Sequence, residues 1–279
     1  MKKKIISLSV CASMLALLIV GGTLAYFTDT DTTPNVFTAG NIQIELHESN
    51  NNDDPDADYD YDNATGFTLL KDADYRNWLD TQPLVPTAVI EKDVWVDNVG
   101  TQPAFVRVHI GVPKAAYDRA VDAGDHIIAL DLVTKDTGYA DSNWTINDEN
   151  GNLNVYTENL YGVDYYVLVL TNTEAVAADT STSICLSNVS MYYDVECSDW
   201  NGDYIEYTRG NGMINAYMGK IPVLLFAEAG QQFSFDTVAD PAFEALNTQF
   251  GTPATSEEYK SPLFGLFDDS TGKLVDKPY

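Results

Sequence analysis

The stretch Phe105-Val106-Arg107-Val108-His109-Ile110-Gly111-Val112 alternates cleanly. Val106, Val108, Ile110 and Val112 fall on one side, and Arg107 and His109 on the other. Side chains on a strand switch faces with a period of two, so this pattern predicts a strand with one face in a core. The same signature recurs along the chain. Ile42, Ile44 and Leu46 alternate with Gln43, Glu45 and His47, and Val94 and Val96 flank Trp95 within Ile90 to Val99. Ile127 to Val133 and Tyr165 to Leu170 are short apolar runs rich in β-formers. Thr182 to Val195 reads as a strand or a pair of strands, and Lys220 to Glu228 and Gln232 to Phe235 as two more. Asn98-Val99-Gly100 and Asp148 to Gly151 read as turns. Helix signals occur at Pro113 to Ala123, with Gly124 as the stop, and from Asp240-Pro241 to Gly251. Many short strands, two short helices and no alternation of strand with helix predict a mainly β chain. The expected architecture is a jelly-roll-like β-sandwich with short helical insertions.

The amino terminus is of a different kind. Lys2, Lys3 and Lys4 precede an apolar run from Ile5 to Val20, which Gly21-Gly22 breaks. Thr23 and Ala25 supply the small residues that precede a cut. This is the grammar of a secretory signal peptide, and the run is short for a spanning helix. Cys11 follows Val10, where a lipobox needs a small residue, so lipidation is not expected. Cleavage after Ala25 would remove 25 of 279 residues, leaving 254 with Tyr26 and Phe27 at the new terminus. The expected organisation is a signal peptide over 1–25, a flexible amino-terminal segment over 26–36, and one β-sandwich domain over 37–279.

Removing a leader with three lysines and no acid takes the net charge from −27 to −30. Such a surface favours solubility and argues against nucleic acid as a partner. Part of the acid is concentrated in Asn50 to Asn63, where Asp54, Asp56, Asp58, Asp60 and Asp62 occupy every second position. Acidic, oxygen-rich loops bind calcium, but this one lacks an EF-hand's glycine and terminal glutamate, so a plain solvated loop is the first reading and calcium the alternative. No other cofactor is expected. The cysteines left after cleavage, Cys185 and Cys197, are a candidate disulfide in an oxidising compartment. On one unbroken strand they would stand about 40 Å apart at ~3.3 Å per residue, so a bridge needs a turn between them.

Catalytic motifs are missing from the sequence. His47, His109 and His126 are scattered and do not form H-E-x-x-H. There is no G-x-S-x-G elbow, P-loop or dinucleotide fingerprint. Carboxylates are so frequent that no pair stands out. The chain is expected not to be an enzyme.

Gly21-Gly22-Thr23-Leu24-Ala25-Tyr26-Phe27-Thr28-Asp29, followed by Phe37-Thr38-Ala39-Gly40-Asn41-Ile42, resembles the TasA and camelysin proteins of Gram-positive bacteria. Pro103 to Val108 resembles a further segment of related precursors, as Ala227 to Phe235 does more weakly. The resemblance implies a secreted subunit of an extracellular biofilm-matrix fibre, built on a jelly roll and cut by a W-type signal peptidase. It implies head-to-tail assembly, in which the amino-terminal strand of one subunit completes the sheet of the next. Tyr26, Phe27, Thr28, Asp29, Val36 and Phe37 would then serve as donor residues, and a minor matrix protein as anchor or nucleus. It also implies the alternative of a camelysin-type surface metallopeptidase. A monomeric surface adhesin is the third expectation.

Overall fold

The computed structural model describes residues 28–30, 41–49, 84–119, 121–199, 204–232, 240–253, 263 and 266. Its strands, numbered along the chain, begin with β1 (Thr28–Thr30), β2 (Ile44–Ser49), β3 (Val89–Asn98), β4 (Ala104–Pro113), β5 (Ile128–Leu132), β6 (Trp144–Thr145) and β7 (Val155–Leu160). They continue with β8 (Val163–Asn172), β9 (Thr180–Ser181), β10 (Leu186–Met191), β11 (Glu196–Asp199), β12 (Tyr204–Arg209), β13 (Gly212–Tyr217) and β14 (Leu224–Gln231). One α-helix, α1 (Pro241–Phe250), follows.

Two antiparallel sheets form the body. The first runs β1-β14-β4-β8-β6, with β7 also on β8, and the second runs β2-β3-β10-β5, with β9 on β3. Val106, Val108, Ile110 and Val112 of β4 meet Ile44, Val94, Val96, Leu186 and Val189 of the second sheet in one cluster. Each such side chain taken from water contributes ~1.5–3 kcal/mol before ordering costs. The chain crosses between these two sheets from β1 to β2, from β3 to β4, from β4 to β5, from β5 to β6 and from β8 to β9. The protein is therefore mainly β with a sandwich core, as the alternating stretches imply. A third sheet, β11-β12-β13, lies beside the body. Among the described residues no helix is long and apolar enough to cross a membrane.

All of β4 is buried, on both faces. One face meets the second sheet. On the other, Phe105 packs with Ala242, Ala245 and Leu246 of α1, while Tyr165, Val167 and Leu224 pack with Leu263. α1 begins with Pro241 in its first turn and buries Ala242, Phe243, Ala245 and Leu246, the spacing of one helix face. It stops at Gly251, whose N–H donates to Asn247 O at 2.9 Å.

The helix expected over Pro113 to Ala123 does not form. Pro113 ends β4, and a turn follows in which the Ala116 and Tyr117 N–H groups donate to Pro113 O. A helix would need Ala116 O to accept from four residues on. That carbonyl instead accepts from Ile127 and Ile128 at 2.9 and 3.3 Å, where the chain enters β5. Only a 3-10 turn, Ala123–Asp125, remains. Thr182 to Val195 resolves into β10 and a turn that leads to β11. Lys220 to Glu228 resolves into β14, which continues to Gln231; Gln232 is a bend and residues 233–235 lie outside the described residues. The hairpin β12–β13 was not expected.

Candidate functional site

The site is built where the amino-terminal segment meets the edge of the first sheet. β1 pairs antiparallel with β14, placing Thr28 opposite Gly230, Asp29 opposite Ala229 and Thr30 opposite Glu228. Of the expected donor residues, Thr28 and Asp29 therefore lie in a strand that caps its own subunit's sheet. The expected cleavage residues Thr23, Ala25 and Tyr26, and the donor residues Phe27, Val36 and Phe37, lie outside the described residues. Asn41 to Gln43 are held by the loop that follows β3. Thr101 N donates to Asn41 O at 2.8 Å and Gly100 N to Gln43 O at 3.0 Å. Asn41 N donates to Thr101 Oγ1 at 2.9 Å. Gly100 is required at this junction, because a Cβ there would stand 2.5 Å from Asn41 O and 2.7 Å from Gln43 N.

A buried polar network lies directly behind that edge. Glu228 of β14 accepts from Arg107 Nε at 2.7 Å, and its Oε2 also meets Arg107 Nη2. His109 Nε2 stands 3.1 Å from the same oxygen. Arg107 Nη1 reaches outward to Asn247 Oδ1 at 3.2 Å and Gly251 O at 3.3 Å, which ties α1 to the sheet. The Arg107 guanidinium also lies over the Phe250 ring. Arg107, His109 and Glu228 are all at most 3% exposed. Burial holds the His109 imidazole below its ordinary pKa, against the pull of Glu228. The neutral ring then donates from Nε2 to Glu228 and accepts at Nδ1 from Tyr156 Oη, 3.3 Å away. Burial alone would push the Glu228 carboxyl up, but its contacts with His109 and Arg107 hold it below the ordinary range. The group is a charge-assisted tie between β4, β14 and α1.

The three histidines do not converge. His47 on β2 stands 3.1 Å from Asp97 Oδ2 and stacks on Trp95. His126 Nε2 bonds to Asp118 O at 2.7 Å, with its ring against Tyr117. Among the described residues no group of three or more His, Cys, Asp or Glu could hold a metal ion. The calcium candidates Asp54, Asp56, Asp58, Asp60 and Asp62 lie outside the described residues. Both cysteines are free, which corrects the candidate disulfide. The chain does turn between them, but the turn separates them: Cys185 is sealed in the core between the sheets and Cys197 is exposed on β11. Burial pushes the Cys185 thiol far up, so it is not a reactive thiolate.

Residues 1–53 match the family model described as camelysin metallo-endopeptidase. Over these residues the chain is similar to that family. The match takes in the signal-like leader, β1, the Asn41 to Gln43 anchor and all of β2, and it stops before the rest of the sandwich. The match takes in Gly21 to Asp29 and Phe37 to Ile42, which carry most of the resemblance to the TasA and camelysin proteins, and does not reach Pro103 to Val108 or Ala227 to Phe235. No curated protein and no solved structure matches the chain.

Proposed function

We propose that the mature chain is a secreted structural subunit that joins copies head-to-tail through its amino-terminal strand, forming an extracellular matrix fibre. The observation that carries this reading is the pairing of β1 with β14. It identifies an edge that takes an extended amino-terminal segment by backbone hydrogen bonds, the mode of recognition called strand addition. The same edge can take the equivalent segment of a neighbour. Such a contact joins unlike surfaces and so propagates instead of closing. The camelysin-like amino terminus supports the same reading, because its resemblance implies export, cleavage before Tyr26 and release of that segment. The partners in this reading are the signal peptidase and other copies of the chain, with no cofactor and no catalysis.

Deleting Tyr26 to Asn35 from the mature chain is expected to leave a folded monomer and to abolish fibres under the electron microscope. Phe27→Asp should weaken assembly without unfolding the subunit, because a charge taken into an apolar groove loses its hydration. A truncated chain that polymerises as well as the full one would sink the strand-addition reading. The description of the matching family supports a second reading, a surface metallo-endopeptidase. Chelator-sensitive cleavage of a casein-type substrate by pure protein, lost on changing His47, His109 or His126, would establish it.

A further inference from the structure

β13 ends the three-stranded sheet, and among the described residues no further strand pairs with it. In an antiparallel ladder, backbone groups point alternately to the partner and away from it, so β13 presents hydrogen-bonding groups on its far side. The strand is held in place from behind. Tyr207 and Ala216 are buried, and Tyr207 Oη donates to Leu84 O at 2.9 Å. At the hairpin turn Asn211 N donates to Asp125 Oδ1 at 2.8 Å, and Gly212 lies so close to Asp125 that a Cβ would overlap its carbonyl. The outward face is uncharged: Met213, 53% exposed, and Tyr217, 56%, flank the exposed Asn215, with Met218 just beyond at 65%. Tyr204 of β12 packs edge-on against Tyr217.

Exposed edges are normally guarded by lysine, proline or a bulge. β13 has none of these. Gly212 to Gly219 contains no charged residue, in a chain whose net charge is −27. The neighbouring strands differ, with Glu196 and Asp199 on β11 and Glu206 on β12.

We propose that β13 pairs antiparallel with β13 of a second copy, across a two-fold axis, so that two three-stranded sheets become one. The occupant follows from charge. Copies of a strongly acidic chain repel one another, and this edge is an uncharged window through which they can approach. Antiparallel self-pairing sets uncharged residues opposite uncharged residues. With Asn215 on the axis, Met213 of one copy stands beside Tyr217 of the other, and both exposed side chains are covered. The contact is isologous and joins two copies without extending further. It is lateral and independent of the head-to-tail contact proposed above.

The test uses the full mature chain. Asn215→Cys in a Cys197→Ser background should give a covalent dimer under mild copper-phenanthroline oxidation. Thr208→Cys, on the same face of the central strand β12, should not. Asn215→Asp places like charges on the axis, each beside Glu206 of its own copy, and sedimentation should show loss of the dimer with an unchanged circular dichroism spectrum. Head-to-tail fibres should survive that substitution. The proposal is overturned if Asn215→Cys cross-links no faster than Thr208→Cys, or if Asn215→Asp sediments as the parent does.

Discussion

Glu228 is the residue at which edge and network meet. Its backbone faces Thr30 of β1 while its carboxylate holds Arg107 and His109. Removing one partner of a buried ion pair strands the other charge, which typically costs about 3–5 kcal/mol. Arg107→Met or Glu228→Gln should therefore lower stability by roughly that amount in urea unfolding, and the double replacement Arg107→Met with Glu228→Leu should recover much of it. The network also fixes the sign of the acid response. The His109 pKa lies below its ordinary 6.5, so the unfolded chain takes up the proton first as pH falls. The neutral-His contribution is complete above 6.5 and is lost as pH drops through the lower folded value. Glu228 acts in the same direction at lower pH: its contribution is present above 4.5 and lost as pH falls through its own depressed value. Melting temperature should thus fall on acidification from pH 7, and His109→Gln should flatten the first part of that fall. A slope unchanged by the substitution would mean that other groups set it.

At the scale of elements, the junction with Gly100-Thr101 fixes Asn41 to Gln43 against the loop after β3. A methyl group at Gly100 meets backbone on both sides and cannot be relieved by a side-chain turn. Gly100→Ala should cost about 1–3 kcal/mol, as overpacking typically does. Limited proteolysis should then cut sooner near Asn41, and equal resistance in both proteins would contradict the tight-junction account. What could be read from sequence follows the reach of the signals. The alternation in Phe105 to Val112 locates β4 because its period is local. It does not reveal that α1 and Leu263 cover the other face, which is why Arg107 and His109 read as solvent-facing residues and are buried ones. α1 was legible from Asp240-Pro241 and Gly251, which act on their own neighbours. The helix at Pro113 was not, because the contact that prevents it is made by Ile127 and Ile128, beyond the helical pattern itself. The hairpin β12–β13 had a signal in Gly210-Asn211 between two strand-like runs. Glu228, the centre of the site, had none: one carboxylate among 42 acidic residues is picked out only by its partners across the sheet.

Over the whole molecule, two sheets share a core, a helix seals one outer face, and the first sheet is completed by the segment nearest the amino terminus. The chain carries a net charge of −27, so copies should associate more readily as salt rises, because screening shortens their repulsion to about 8 Å at physiological strength. Light scattering across a salt series checks this, and association that weakens with salt would point to opposite-charge contacts instead. The completed edge has a kinetic consequence as well. A strand tethered to its own acceptor meets it at an effective concentration of about millimolar. In the assembly proposed above, an incoming strand from another copy would have to compete with that resident, so dilute subunits would stay self-satisfied. Growth would then begin with a lag, steepen with crowding, and proceed fastest at a fibre tip, where a vacant acceptor no longer has its own strand within reach.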